Sequence, residues 1–110
     1  MNLENLQSNA RAAEGLLKAM ASQARLMILC ELLKGERTVT ELHGAVGLSM
    51  SAVSQHLAKL REENVVATRR ESQTIWYSLN GRAVEKMLTT LHEIYCEAPA
   101  SSSPGKECLK

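Results

Sequence analysis

The sequence predicts a mainly α-helical (α+β) domain whose elements follow the order α-α-α-α-β-β-α. Three observations lead to this fold class. Apolar residues recur at steps of three and four in five separate segments, a spacing that is typical of helices with one apolar face. Two runs rich in Val, Thr, Ile and Tyr flank a short polar turn, which predicts a β-hairpin. At 110 residues, the chain has the length of a single domain.

The first two helices are predicted from their apolar pattern and from their ends. The first covers residues 3–20, with charged residues on the side away from its leucines. The second begins after a Ser22 cap, continues to about Lys34 and stops at Gly35. Because its apolar residues cover more than one face, we expect this helix, which carries Cys30, to lie at the centre of the core.

Residues 38–60 (TVTELHGAVGLSMSAVSQHLAKL) predict two short helices joined by a tight turn. Thr38 is followed three residues later by Glu41, the pattern of a capping box in which each side chain bonds the other residue's backbone N–H. This third helix is predicted to reach about Val46. Gly47 can then adopt the positive φ that a sharp helix exit requires.

The fourth helix is predicted from a Ser49 cap to about Glu63. One of its faces is apolar and should point inward: Ala52, Val53, Leu57 and Leu60. A row of small hydrogen-bonding residues occupies the rest of its first turns: Ser51, Ser54, Gln55 and His56. This layout is typical of a helix-turn-helix, whose second helix presents its N-terminal residues to base edges in the major groove of DNA.

A β-hairpin wing is predicted next, from strands at residues 65–71 and 74–79 around a Ser-Gln turn. The element order is therefore that of a winged helix-turn-helix. Beside a recognition helix, we expect Arg69, Arg70 and Gln73 to contact phosphate groups or the minor groove. The alternative is an ordinary charged hairpin tip.

The last helix is predicted from an Asn80 cap to about Ala98. Residues 99–110 then form a polar, disordered tail, so that the winged-helix domain covers residues 1–98. The first and last helices carry more apolar surface than a domain of this size can bury alone. We therefore expect a homodimer that pairs these two helices and presents its recognition helices to half-sites about one helical turn apart on a roughly palindromic operator.

The candidate DNA contacts follow from these positions. Gln55 is the strongest candidate for a base contact, because its amide can bond bidentately to adenine. Thr38 and Thr40 are expected mainly to cap a helix, and secondarily to donate hydrogen bonds to phosphate groups. The serines can contact either bases or phosphates. The alternative is that the polar residues on the first turns of the fourth helix are only its ordinary solvated face. The full set of candidates is Thr38, Thr40, Ser49, Ser51, Ser54, Gln55, His56, Arg69, Arg70 and Gln73.

The composition disfavours several classes of function. A net charge of +1 by itself says nothing about nucleic acid, but the absence of Asp disfavours carboxylate clusters for Mg²⁺ or Ca²⁺. No run of about 18 apolar residues and no signal peptide are visible, so we expect a soluble cytoplasmic protein with no membrane partner. In that compartment the three cysteines are expected to be reduced, with catalytic, sensing or metal-binding roles rather than structural disulfides.

One long segment carries a family resemblance. LSMSAVSQHLAKLREENVVATRRESQTIWYSL resembles the recognition helix and wing of the ArsR/SmtB family of small dimeric bacterial repressors, and nearly the whole chain, residues 2–98, fits that template. The resemblance implies a repressor that binds double-stranded operator DNA and is not an enzyme. His43 departs from the small apolar residue that is common in the family, so we expect slightly altered packing between the two helices of the motif.

Members of this family often sense metals, and the sequence argues against such a site. One class has a Cys-x-Cys pair at the start of the helix before the recognition helix, where this chain has Thr38, Val39 and Thr40. Another class has acidic and His ligands on the last helix. The fragment that this chain offers there is His92 with Cys96, four residues apart. We therefore expect no metal and no other cofactor.

Two cysteines extend the resemblance to one branch of this family. Cys30 within LxILCxLL and Cys96 within LHxIYC resemble the dithiol pair of the HlyU/BigR/SqrR branch of the family. This resemblance implies that the protein releases its operator when reactive sulfur species (persulfides or polysulfides) link the two thiols of one subunit. Lys34 and His92, each one turn away from one of these thiols, would favour the thiolate. Cys108 in the tail is read as an incidental thiol.

Other interpretations stay open. Within the family, the pair would also suit a general peroxide or disulfide switch, or a repressor that responds to a thiophilic metalloid. On composition alone, a buried cysteine is most simply a small hydrophobic residue. A thiol enzyme is disfavoured because the sequence has no Cys-x-x-Cys motif, glycine-rich phosphate loop or nucleophile–base arrangement. A winged helix that binds only proteins would need neither Gln55 nor a basic wing.

Overall fold

The computed structural model describes residues 2–95 and confirms the predicted order α-α-α-α-β-β-α. The predicted continuation of the last helix to Ala98, and the predicted tail at residues 99–110, lie outside the described residues. Within residues 2–95, no helix is long and apolar enough to cross a membrane. The elements are α1 (Leu3–Met20), α2 (Gln23–Leu33), α3 (Val39–Val46), α4 (Met50–Glu62), β1 (Val66–Glu71), β2 (Thr74–Leu79) and α5 (Arg82–Tyr95).

Side-chain caps begin α2, α3 and α4 where the sequence predicted them. The hydroxyls of Ser22, Thr38 and Ser49 each accept a hydrogen bond from the backbone N–H three residues later, at 3.3, 3.1 and 3.1 Å. Glu41 completes the capping box, because its Oε1 accepts a bond from the Thr38 N–H at 3.0 Å. Each cap of this kind stabilises a helix by about 1 kcal/mol, so the three helix starts are set by local chemistry.

The predicted cap on the last helix was wrong. α5 begins at Arg82, two residues after Asn80. The Asn80 side chain instead donates from Nδ2 to the Asn64 carbonyl at 2.9 Å, and its backbone N–H donates to the Val65 carbonyl at 2.9 Å. Asn64 turns the chain between α4 and β1 with a φ of 62°. Asn80 therefore closes the base of the hairpin against this turn.

The core is built around α2, which confirms the central position predicted for it. α2 packs against α1, α3, α4, α5 and β2. On α4, three of the four residues predicted to point inward are fully buried (Val53, Leu57 and Leu60), while Ala52 is half-buried. The other large side chains with almost no exposed surface are Ile28, Leu29, Leu42, Val84 and Leu88.

The wing is a two-stranded antiparallel hairpin whose register pairs Arg69 with Trp76 and Arg70 with Ile75. A second contact lies on the free edge of β2. There, the backbone of Arg37 pairs with that of Tyr77 through two hydrogen bonds of 3.0 and 2.8 Å. The wing is thereby joined directly to the loop between α2 and α3.

Apolar side chains remain exposed on the first and last helices. Leu3 is 67% exposed and Tyr95 is 62% exposed. The other large apolar residues exposed on these two helices are Leu6, Leu17 and Ile94. The chain therefore leaves apolar surface uncovered on the two helices for which dimer contacts were predicted.

Two glycines give a matched test of the turn between α3 and α4. A Cβ added at Gly44 or at Gly47 would meet no surrounding atom within 4 Å, so only the backbone distinguishes the two sites. Gly47→Ala should lower the free energy of unfolding by about 1–2 kcal/mol, because alanine is strained in the left-handed region that Gly47 occupies. Gly44→Ala should raise it by about 0.5–1 kcal/mol, because alanine is the better helix former.

Urea unfolding followed by circular dichroism measures both effects as shifts in midpoint at an unchanged m-value. Equal stability of the two alanine variants would contradict a turn that depends on the positive φ of Gly47.

Candidate nucleic-acid interface

The rotation of α4 decides which of its side chains reach solvent. Because Val53, Leu57 and Leu60 are buried, the opposite face of the helix points outward. Three of the predicted DNA contacts lie exposed on that face, namely Ser51, Ser54 and Gln55, and the fourth, His56, is half-buried. The helix therefore presents a hydrogen-bonding surface of the kind that reads base edges.

Two hydroxyls lie side by side at the start of α4. The Oγ of Ser49 accepts the capping bond from the backbone and lies 3.4 Å from the Oγ of Ser51. A hydroxyl can accept two bonds and donate one, so capping does not prevent Ser49 from donating outward. The positive end of the helix dipole lies at the same place, which favours an anionic group such as a DNA phosphate.

His43 spans the turn between α3 and α4. Its Nδ1 is hydrogen-bonded to the Leu48 carbonyl, and since a carbonyl only accepts, Nδ1 must carry the proton. The backbone N–H of Gly47 also donates to the His43 carbonyl, at 3.2 Å. The residue that departs from the family pattern thus bonds the segment that leads into Ser49 and α4.

The N-terminus of α3 and the tip of the wing lie next to each other. A depression of about 410 Å³ is lined by Thr38, Val39, Thr40, Gln73, Thr74 and Ile75. It brings together three predicted DNA contacts from two distant parts of the chain, Thr38, Thr40 and Gln73. The Thr38 hydroxyl accepts the capping bond, as the sequence predicted, while Thr40 and Gln73 are exposed.

A second, more basic depression lies along β1. It measures about 320 Å³ and is lined by Arg61, Thr68, Arg69, Arg70 and Ile75. Within residues 2–95, the side chains of Arg61 and Arg70 make no hydrogen bond or ion pair. Arg70 is exposed, so its charge is available to an incoming phosphate.

The Arg69 side chain, unlike that of Arg70, is held by carboxylates of the protein. Its Nε and Nη2 donate to the two carboxylate oxygens of Glu36 at 2.8 and 2.9 Å, and its Nη1 donates to Glu71 at 3.3 Å. The guanidinium carbon lies 5.6 Å from the centre of the Trp76 ring. The hydrogen bond from Arg69 lowers the pKa of Glu36, and the bonds to Glu36 and then Glu71 raise the pKa of Arg69.

Glu36 and Trp76 were not predicted as parts of this surface. The hairpin register could have placed Trp76 opposite Arg69, because both strands were predicted with nearly correct bounds. Glu36 had no comparable local signal, since it lies 33 residues from Arg69 in the sequence.

Cys30, the predicted sensing thiol that lies within the described residues, is not part of the candidate DNA surface. Cys30 lies in the core on α2 and is 4% exposed. Lys34, predicted to favour its thiolate, forms an ion pair with Glu31, with its Nζ 3.0 Å from the Glu31 Oε2. Cys96 and Cys108 lie outside the described residues. Within residues 2–95, no group of three or more His, Cys, Asp or Glu side chains could hold a metal ion.

The fold and this surface agree with the chain's similarity to known regulators. Residues 22–68 match the family described as bacterial regulatory protein, arsR family. The transcriptional activator HlyU of Vibrio cholerae is 49% identical over 98 residues, which cover 89% of this chain and 91% of HlyU. The chain is a member of the arsR family.

Solved structures place this ArsR-family chain among winged-helix regulators. Reduced HlyU from Vibrio cholerae superimposes with a TM-score of 0.80 at 48% identity, covering 86% of this chain and 99% of HlyU. The transcriptional repressor BigR from Xylella fastidiosa gives 0.78 at 34% identity, with 87% and 98% covered. A homodimeric winged helix-turn-helix DNA-binding domain from Mycobacterium bovis gives 0.75 at 26% identity, with 84% and 86% covered.

Family membership settles the general activity. ArsR-family regulators bind operator DNA and are not enzymes, so this ArsR-family chain is a DNA-binding transcriptional regulator. The prediction that it belongs to this family is confirmed. The individual DNA contacts remain predictions, and the structure supports them by exposing most of the predicted side chains on α4 and at the wing.

Gln55 and Arg70 should make different contributions to DNA binding. Gln55→Ala should cost about 1–3 kcal/mol on the operator and relax the preference for one base pair per half-site, because a base contact carries sequence information. Arg70→Ala should weaken binding to all duplexes and reduce the slope of log K against log salt by about one, because a phosphate contact carries charge only.

A mobility-shift titration at several salt concentrations distinguishes the two, using an operator recovered by selection from a randomised duplex library and an unrelated duplex. If both variants bind these duplexes as the parent does, the assigned DNA surface is wrong.

The ion pair at the wing predicts an acid-induced change. The pKa of Glu36 lies below its ordinary value of 4.5, so the stabilisation from this pair is fully present above pH 4.5 and is lost as the pH falls through the lowered pKa. Trp76 is the only tryptophan of the chain and contacts Arg69. Its fluorescence should therefore stay constant near neutral pH and change below pH 4.5.

Glu36→Gln is the control for this titration, because it removes the titrating carboxylate. A transition of unchanged size in that variant would assign the acid response to another group.

Proposed function

We propose that the chain is a homodimeric repressor that acts in the cytoplasm and releases its operator when Cys30 and Cys96 of one subunit are linked by sulfur atoms from a reactive sulfur species. The observation that carries this proposal is the position of Cys30. It is buried on α2, the helix that packs against every other helix and against β2. A new covalent bond at this point would therefore act on the elements that position both the recognition helix and the wing.

The dimer is supported by the apolar surface of α1 and α5. Leu3, Leu6, Ile94 and Tyr95 are all more than half exposed in the single chain. Burying such residues against a second copy would remove apolar area from water, which stabilises an interface by about 25 cal/mol for each Å². The similar domain from Mycobacterium bovis is homodimeric, which favours the same arrangement here.

The thiol pair is supported by the contact between α2 and α5. Leu88 is fully buried and His92, four residues later, is half-buried, so this side of α5 faces the core. Cys96 follows in the sequence at the same spacing. The similar structure from Vibrio cholerae is of reduced HlyU, and the BigR structure is of a transcriptional repressor. These relatives favour a redox-responsive repressor over a constitutive DNA-binding protein.

The covalent step balances with an organic tetrasulfide as the oxidant. One cysteine thiolate attacks an inner sulfur of the donor and expels the adjacent outer sulfur as a thiol. The second thiolate attacks the other inner sulfur and expels the second thiol. The two cysteines are thereby oxidised and joined through two inserted sulfurs, while the donor is reduced to two thiols that take up the two protons.

Geometry would separate this inducer from peroxide. A relaxed disulfide needs Cα atoms about 4.4–6.8 Å apart, and each inserted sulfur lengthens the bridge by about 2 Å. We expect Cys30 and Cys96 to be farther apart than the disulfide range in the reduced protein, so that only the longer bridge forms without strain. A coupling of about 1–3 kcal/mol between the bridge and the operator would lower DNA affinity roughly 5- to 150-fold.

Cysteine variants test this function directly. The parent treated with an organic tetrasulfide should release the selected operator and gain the mass of two sulfurs less two hydrogens in one intramolecular link. Cys30→Ser and Cys96→Ser should each stay bound to DNA under the same treatment, because neither can close the bridge. Cys108→Ser is the matched control and should respond as the parent does.

Intact-mass measurement after the tetrasulfide and after peroxide, together with a mobility-shift assay, gives the result. Loss of two hydrogens with both reagents would mean a general disulfide switch. Unchanged release from Cys30→Ser would remove this thiol from the mechanism. Release caused by stoichiometric Zn²⁺ and reversed by a chelator would point to metal sensing instead.

A further inference from the structure

The wing carries two adjacent arginines that have different surroundings. The Arg69 guanidinium donates three hydrogen bonds to Glu36 and Glu71 and stacks on Trp76. Arg70 makes no side-chain hydrogen bond or ion pair with residues 2–95. A single arginine flanked by two carboxylates forms a group of net negative charge. Such a group is poorly suited to attracting a phosphate, whereas Arg70 keeps its full charge.

The contact between Arg69 and Glu36 joins two separate parts of the fold. Glu36 lies in the loop that leaves α2, and Arg69 lies in the middle of β1. Both carboxylate oxygens of Glu36 are engaged, at 2.8 and 2.9 Å, which is the bidentate geometry that a guanidinium fork favours. Lysine cannot reproduce this geometry, because it carries its charge on a single nitrogen.

The same loop contacts the wing a second time. Arg37, the neighbour of Glu36, pairs its backbone with Tyr77 on β2. An isolated two-stranded hairpin is only marginally stable in water, so its orientation depends on what it is attached to. The ion pair attaches β1 and the backbone bridge attaches β2, which together hold both strands against the α2–α3 loop.

We propose that Arg69 is a positioning residue that orients the wing for DNA through Glu36 and Trp76, and that it does not itself neutralise a phosphate. The contact with the DNA backbone then falls to Arg70 on the neighbouring position of β1. This role concerns DNA binding by the reduced protein, so it does not depend on the thiol chemistry proposed above.

Charge alone and a positioning role for Arg69 predict opposite effects on operator binding when the Glu36 carboxylate is removed. Removing a carboxylate beside the DNA surface makes the protein more positive, which should strengthen binding to a polyanion. If Glu36 holds the wing through Arg69, Glu36→Gln should instead weaken operator binding by about two- to fivefold, the effect of losing one exposed ion pair. Glu62→Gln is the matched control. Glu62 is exposed at the end of α4 and its side chain has no partner within residues 2–95, so this variant should bind equally well or slightly tighter.

Two further variants separate positioning from phosphate contact. Arg69→Lys keeps the charge but loses the bidentate fork, so it should weaken binding about as much as Arg69→Gln. Neither should change the slope of log K against log salt, whereas Arg70→Gln should reduce that slope by about one. In the Arg69→Gln background, Glu36→Gln should no longer weaken binding, because the interaction it removes is already absent.

The measurement is a salt-dependent binding titration under reducing conditions, with the operator recovered by selection. Trp76 fluorescence, which reports on the ion pair, should change in Glu36→Gln and stay constant in Glu62→Gln, and circular dichroism should show the same helix content in both. Tighter binding by Glu36→Gln would overturn the proposal. A reduced salt slope in Arg69→Gln that Arg69→Lys restores would also overturn it, since that result identifies a phosphate contact.

Discussion

The burial of α2 is the constraint on which the rest of the structure depends. This helix has its apolar residues on more than one side and packs against all four other helices and β2. Its neighbours can cover it only if each turns its own apolar face inward, which leaves their polar faces for function. Because a close-packed interior deforms little, a change at α2 is transmitted to these neighbours rather than absorbed locally.

The candidate DNA surface is a consequence of this packing. Val53, Leu57 and Leu60 face the core, so Gln55 and the serines of α4 face outward. Local hydrogen bonds then set where the helix begins, through Ser49 and through the turn that His43 bonds. A recognition helix held at its buried face and at its N-terminus presents its polar groups in a defined geometry, which base readout requires.

The wing shows why counting charges gives an incomplete description of a DNA surface. Arg69 and Arg70 are adjacent in sequence and both are exposed, yet their side chains have opposite environments because successive residues of a strand point to opposite faces. Arg69 is bonded to Glu36 and Glu71 and lies over the Trp76 ring, whereas Arg70 makes no side-chain hydrogen bond or ion pair within residues 2–95. Two residues of the same type therefore have different surroundings, which is the basis for the different roles proposed for them.

The sequence by itself determined the features that depend on neighbouring residues. The capping box of Thr38, the left-handed turn at Gly47 and the β-hairpin of the wing all arise from contacts a few residues apart, and they formed as predicted. Only the tertiary structure decided that Asn80 bonds Asn64 and that Arg69 bonds Glu36, which lie 16 and 33 residues away in the chain. Neither partner leaves a local pattern, because both contacts exist only after the core around α2 has brought distant loops together.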